Sequence, residues 1–114
     1  MSHISTHVLD TSRGRPASGV PASLELHSPD DSWKLVSQGK TDADGRLKFL
    51  FPPRFELAPG TYRILFDTQT YFRSQDVSGF YPSVTIAFNV RDAMQNYHVP
   101  LLLSPYGYST YRGS

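Results

Sequence analysis

Apolar and polar side chains alternate along most of this 114-residue chain with the period of two that sends successive side chains to opposite faces of a β-strand. Ile4, Thr6 and Val8 face one way and His3, Ser5 and His7 the other, which predicts a first strand over 3–9. The polar loop Asp10-Thr11-Ser12-Arg13-Gly14-Arg15-Pro16 follows. Val20, Ala22, Leu24 and Leu26 form the buried face of a second strand, with Ser23, Glu25 and His27 outward. Ser28-Pro29-Asp30-Asp31 turns the chain into a third strand built around Trp33, Leu35 and Ser37. The loop from Lys40 to Gly45 leads into a fourth, Arg46 to Phe51, which Pro52-Pro53 ends because proline cannot donate to a ladder. In the fifth, Tyr62, Ile64 and Phe66 alternate with Thr61, Arg63, Leu65 and Asp67. Asp67 or Thr68 caps the one short helix, Thr68 to Gln75. Val84, Ile86, Phe88 and Val90 then face inward against Thr85, Ala87, Asn89 and Arg91. A C-terminal hairpin closes the count at eight strands. In it Tyr97, Val99, Leu101 and Leu103 oppose Asn96, His98, Pro100 and Leu102, and beyond a Ser-Pro-Tyr-Gly turn a second short strand runs to Ser114. Short strands punctuated by Gly, Pro, Asp and Ser, with almost no helical periodicity, predict an all-β antiparallel sandwich.

This length predicts one domain over 1–114, with a single core and too little mass to enclose a deep cavity as well. Any concave site is then shallow or shared between chains. A formal net charge of +1 with 18% charged residues gives no electrostatic footprint for nucleic acid or an anionic membrane. The absence of cysteine excludes disulfides, thiolate zinc sites and a Cys nucleophile. No secretory leader, transmembrane stretch or Ser-Lys-Leu address is visible, so a soluble, cytoplasmic protein is expected.

Three strands place an ionisable residue opposite their apolar set: His7 against Val8, Arg46 against Leu47, and His98 against Val99. Pro100 and Leu102 share the face of His98, and a half-apolar face invites cover. Docking two such faces would enclose a water-poor groove holding imidazoles and guanidinium groups. A neutral imidazole takes a proton from water near neutral pH, and a guanidinium stabilises a carbonyl oxygen as it gains negative charge. Water attack on an amide-like carbon needs those two services. Metal sites fit less well. His3 and His7 share a face but stand about 13 Å apart along a strand, too far for one ion. Asp42-Ala43-Asp44-Gly45 would begin a calcium loop only if Lys40 and Phe51 were acidic.

Three stretches resemble one family. Tyr97-His98-Val99-Pro100-Leu101-Leu102-Leu103-Ser104-Pro105-Tyr106-Gly107-Tyr108-Ser109-Thr110-Tyr111-Arg112-Gly113-Ser114 resembles the C-terminus of the 5-hydroxyisourate hydrolases, the purine-catabolic branch of the transthyretin fold. The opening Ile4-Ser5-Thr6-His7-Val8-Leu9-Asp10-Thr11-Ser12 and the loop Asp42-Ala43-Asp44-Gly45-Arg46 resemble it too, so the likeness spans the chain. It implies a transthyretin-like sandwich of two four-stranded antiparallel sheets with one short helix, assembled as a homotetramer, a dimer of dimers with its sites between subunits. The implied reaction is hydrolysis of 5-hydroxyisourate to 2-oxo-4-hydroxy-4-carboxy-5-ureidoimidazoline in urate degradation, without metal or organic cofactor. On that resemblance His7 and His98 handle the water and its proton, with the choice of base left open. Arg46 holds the substrate's oxygens, Tyr111 donates a hydrogen bond or stacks on the ring, and Ser114 brings its hydroxyl and carboxylate to the pocket edge. Arg112 falls opposite Tyr111 and is read as structural, pairing with Ser114 or a neighbouring chain. Transthyretins proper use the same fold to carry hydrophobic hormones, which makes a non-catalytic carrier the alternative. A sandwich serving only as an interaction module has no residue in its favour.

Overall fold

The computed structural model describes residues 3–51 and 56–113. Ser114 and the Pro52-Pro53 strand stop therefore lie outside the described residues. Along the chain run β1 (Ile4–Asp10), β2 (Arg15–Pro16), β3 (Pro21–His27), β4 (Trp33–Lys40), β5 (Arg46–Phe51), β6 (Gly60–Phe66), α1 (Thr68–Ser74), β7 (Val84–Val90), β8 (Tyr97–Ser104) and β9 (Gly107–Thr110). One sheet has the order β2-β1-β8-β9 with β5 also against β1, and the other the order β4-β3-β6-β7. The core between them is contiguous and includes Ile4, Val8, Leu24, Tyr62, Ile64, Phe66, Val84, Val90, Leu101 and Leu103. This is the sandwich that alternation predicts, because each sheet can bury only one face. Asp67 caps α1 by accepting the Thr70 N–H. Among the described residues no helix is long and apolar enough to cross a membrane.

Four departures from simple alternation shape the first sheet and its neighbour. The pair β1 and β8 is parallel, in register from Ile4 with Tyr97 to Asp10 with Leu103. The segment read as a loop after Asp10 contributes the two-residue strand β2, paired with Leu9 and Asp10. Asp10 itself is buried, 2% exposed. The register of β3 against β4 slips between Leu24 and Glu25, which leaves Leu35 57% exposed and turns Val36 toward the core. A slip of the same kind between Ile4 and Thr6 sets Lys48, Phe49 and Leu50 opposite Ser5. Such bulges re-aim side chains next to sites.

Candidate active site

The turn before β5 fixes where Arg46 lies. One carboxylate oxygen of Asp42 accepts the N–H groups of Asp44 and Arg46, each at 2.9 Å, closing the turn onto its own side chain. Gly45 completes it at φ +75°, and its carbonyl accepts the Val8 N–H at 2.7 Å. The turn is thereby pressed onto β1, and Arg46 comes into register with His7. Among the described residues no carboxylate lies within ion-pair distance of the Arg46 guanidinium. The cation thus remains available to a ligand.

His7 donates from Nε2 to the Asp44 carbonyl at 2.9 Å. A carbonyl only accepts, so in the neutral ring the lone pair is on Nδ1. On the other side of β1, Ser5 pairs with His98 and His7 with Pro100. One outer face of one sheet therefore carries His7, Arg46 and His98. Ser5 Oγ and His98 Nδ1 share a 2.8 Å hydrogen bond. Burial pushes the His98 pKa below 6.5, and the charge of Arg46, His7 and His3 lowers it further. A cleft of about 410 Å³ opens here, lined by His3, Ser5, Thr6, Arg46, Lys48, Phe49, Asn96 and His98. A cleft of about 400 Å³ beside α1 holds no histidine and is lined by the helix and the loop after it.

The tail reaches the site by a broken ladder. Pairing of β8 with β9 runs from Ser104 with Gly107 to Leu101 with Thr110, then resumes as a single bridge between His98 and Gly113. In that register Tyr111 falls opposite Pro100, whose missing N–H removes the bond that would have held it in the strand. The expected strand to Ser114 is thus shorter, ending at Thr110. Tyr111 is 58% exposed and borders a separate cleft of about 230 Å³, which His98 also borders. Arg112 turns the other way: it donates to Gln95 Oε1 at 2.8 Å and lies over the Tyr97 ring at 4.7 Å. Those contacts fit the structural reading, and the expected partner Ser114 lies outside the described residues.

Of the residues singled out in the sequence, Arg46 and His98 line the cleft, His7 shares their face in register with Arg46 but is not among the cleft's lining residues, Tyr111 borders the neighbouring cleft with His98, and Ser114 lies outside the described residues. Sequence reasoning placed Ser5 and His3 on the face of His7 but gave neither a part in the site, and it missed Lys48 and Phe49. Ser5 could have been found, since it alternates in phase with His7. Lys48 and Phe49 could not, because the bulge that brings them to the cleft leaves no trace in the pattern.

A two-sheet sandwich of this topology, with imidazoles on one outer face beside a guanidinium that has no carboxylate partner among the described residues, defines a transthyretin-like protein. The chain belongs to the HIUase/Transthyretin family, whose model matches residues 4–113. Among its relatives, the 5-hydroxyisourate hydrolase of Salmonella typhimurium is 47% identical over 97% of this chain and 80% of its own length. That of Mus musculus is 43% identical over 99% of this chain and 96% of its own. Klebsiella pneumoniae 5-hydroxyisourate hydrolase superposes with a TM-score of 0.86 at 32% identity, covering both chains fully. Sea bream transthyretin in complex with thyroxine superposes at 0.90 with 29% identity, over 96% of this chain and 93% of the other.

Proposed function

We propose that this protein hydrolyses 5-hydroxyisourate in urate degradation, and that His7, Arg46 and His98 carry the reaction. The observation that carries this reading is the placing of all three on one outer face, brought from β1, β5 and β8. A neutral histidine takes a proton from water as the water oxygen attacks a ring lactam carbonyl carbon. Arg46 stabilises the resulting oxyanion with its forked donors. Collapse of the tetrahedral carbon breaks the bond to the ring nitrogen, which leaves with the proton the histidine gained. His98 is the better placed base, because it lines the cleft with Arg46 while burial and neighbouring charge lower its pKa from the ordinary imidazole value. His7, tied to Asp44, orients water or substrate. Tyr111, from the adjoining cleft that His98 also borders, donates a hydrogen bond to the substrate or stacks on its ring, and Ser114 supplies its hydroxyl and terminal carboxylate at the edge.

The open cleft is completed by a second copy. Pro100 is already buried within the chain and Leu102, on the same face of β8 as His98, is half-buried; an identical face laid over Leu102 completes its burial and excludes water from both sites. Four chains then assemble as a dimer of dimers. A carrier would share the fold, as sea bream transthyretin does, but has no use for a neutral histidine beside an unpaired guanidinium.

The test generates hydroxyisourate with urate oxidase and follows the decay of its ultraviolet absorbance with and without this protein. Decay no faster than the spontaneous rate overturns the proposal. Single replacement of His7, Arg46 or His98 by Ala should each lower turnover by roughly 10²-fold or more. A folded variant at full rate removes its residue from the site.

A further inference from the structure

His98 is held from two sides, by Ser5 on the wall of the cleft and by Gly113 behind it. On the first, Ser5 Oγ lies 2.8 Å from Nδ1. On the second, the chain at Gly113 bridges back onto β8, its N–H donating to the His98 carbonyl at 2.8 Å. The approach is so close that it requires glycine. A Cβ at position 113 would stand 2.5 Å from His98 Cδ2, 3.2 Å from Cγ and 3.3 Å from Cβ. No side chain fits there unless the imidazole swings away or the tail detaches. Gly113 has an ordinary backbone conformation, since it is absent from the positive-φ glycines. Its lack of a side chain therefore serves the neighbouring ring, not its own dihedrals.

We propose that Ser5 and Gly113 are positioning residues for His98, the hydroxyl holding Nδ1 and the bare Cα fixing the ring plane, so that proton exchange with water runs through Nε2. This rests on the reading of His98 as the base. In this proposal His98 takes the tautomer in which Nδ1–H donates to Ser5 Oγ: when Nε2 accepts a proton from water and later returns it to the leaving nitrogen, that bond is unchanged. A hydroxyl suits this role better than a carboxylate. A carboxylate at Nδ1 would favour the imidazolium and raise the pKa, whereas a neutral partner orients the ring and leaves it basic only when a proton is offered. The tail thereby acts on the chemistry through packing as well as through Tyr111 and Ser114.

Gly113→Ala, Ser5→Ala and Ser5→Thr are compared by steady-state kinetics, thermal melting and NMR of the His98 ring nitrogens. Gly113→Ala should lower kcat on the order of 10²-fold, the scale of a small misplacement of a reacting group, with KM little changed and the His98 ring signals shifted. Ser5→Ala should lower kcat by roughly 10-fold or more, part of what a general base contributes, and move the neutral ring toward the tautomer protonated at Nε2. Ser5→Thr keeps the hydroxyl and should restore both rate and tautomer. Wild-type kcat in Gly113→Ala, or a rate loss with unshifted ring signals, overturns the role of Gly113. If Gly113→Ala does not fold, the serine pair decides alone, and equal rates in Ser5→Ala and Ser5→Thr overturn the proposal. His98→Ala separates the two readings. Full activity in that variant removes His98 as base, while the ring signals of Gly113→Ala and Ser5→Ala, which keep the imidazole, still report whether Ser5 and Gly113 hold it.

Discussion

As the proposed base, His98 has to be neutral at working pH beside the Arg46 guanidinium. Burial and the charges of Arg46, His7 and His3 all act in that direction. A histidine with a depressed pKa is deprotonated over a wider range, so kcat/KM should hold at neutral pH and fall only below about 6.5, on an acid limb displaced from that of an ordinary imidazole. Arg46→Ala removes one cause, and NMR titration of the His98 ring should then show its pKa rising toward 6.5. An unchanged value would contradict the proximity of the two groups. Elsewhere a second ionisable residue is held for stability alone. Burial pulls the Asp10 carboxyl upward, but hydrogen bonds from the Ser12 and Tyr71 hydroxyls and from the Arg13 and Ser12 N–H groups outweigh it and leave the pKa below 3.8. The same pair pushes the Tyr71 phenol up to about 12, burial being the larger cause and the bond to Asp10 the next. A carboxylate with a lowered pKa contributes stability above its unfolded value and loses it as pH falls through the folded one. Tyr71→Phe should therefore cost about 1–2 kcal/mol at neutral pH by urea denaturation, and the cost should shrink below about pH 4 as Asp10 takes up its proton.

Among the elements, the turn at Asp42–Arg46 matters most to the site, because it sets the register of β5 against β1. Gly45 has φ +75°, and a Cβ there would lie 2.4 Å from the Val8 carbonyl oxygen. Gly45→Ala should cost at least about 2 kcal/mol, combining a left-handed backbone with a collision against main chain. It should also lower turnover in the protein that still folds, because Arg46 moves with the turn. A variant with wild-type melting and rate would show that β5 docks without it. These elements also show what a sequence can and cannot tell. The strands β1, β3, β6, β7 and β8 were legible because one face of each is buried, and the period of two records that directly. His7, Arg46 and His98 stood out for the same reason, each being polar on the face opposite an apolar set. Lys48 and Phe49 were hidden, since a bulge shifts phase by a local backbone choice that the pattern does not encode. Gly113 was hidden as well: a glycine near a chain end reads as looseness, and only the ring packed against it reveals a steric demand. The parallel pairing of β1 with β8 was out of reach because alternation gives faces, not partners.

Across the whole molecule the two outer faces are treated differently. On the sheet of β3 and β6, Arg63 donates to Glu25 at 2.6 Å and lies over the Trp33 ring at 4.1 Å, so its charge is satisfied within the protein. On the sheet of β1 and β8, Arg46 has no such partner among the described residues. That contrast supports the proposed site on the face of β1 and β8. The latter sheet is also built from remote segments, Ser5 and His98 being 93 residues apart in sequence. Loop closure over that span comes before any reward, so refolding followed by Trp33 fluorescence should take milliseconds to seconds. A microsecond phase that restores His98 ring signals would be incompatible with this order. On the ribosome the same pairing means that β1, made first, waits beside the exit tunnel with one edge open until β8 emerges. Nascent chains stalled before Tyr97 should then be the ones that chaperones hold and that neighbouring copies capture through that edge.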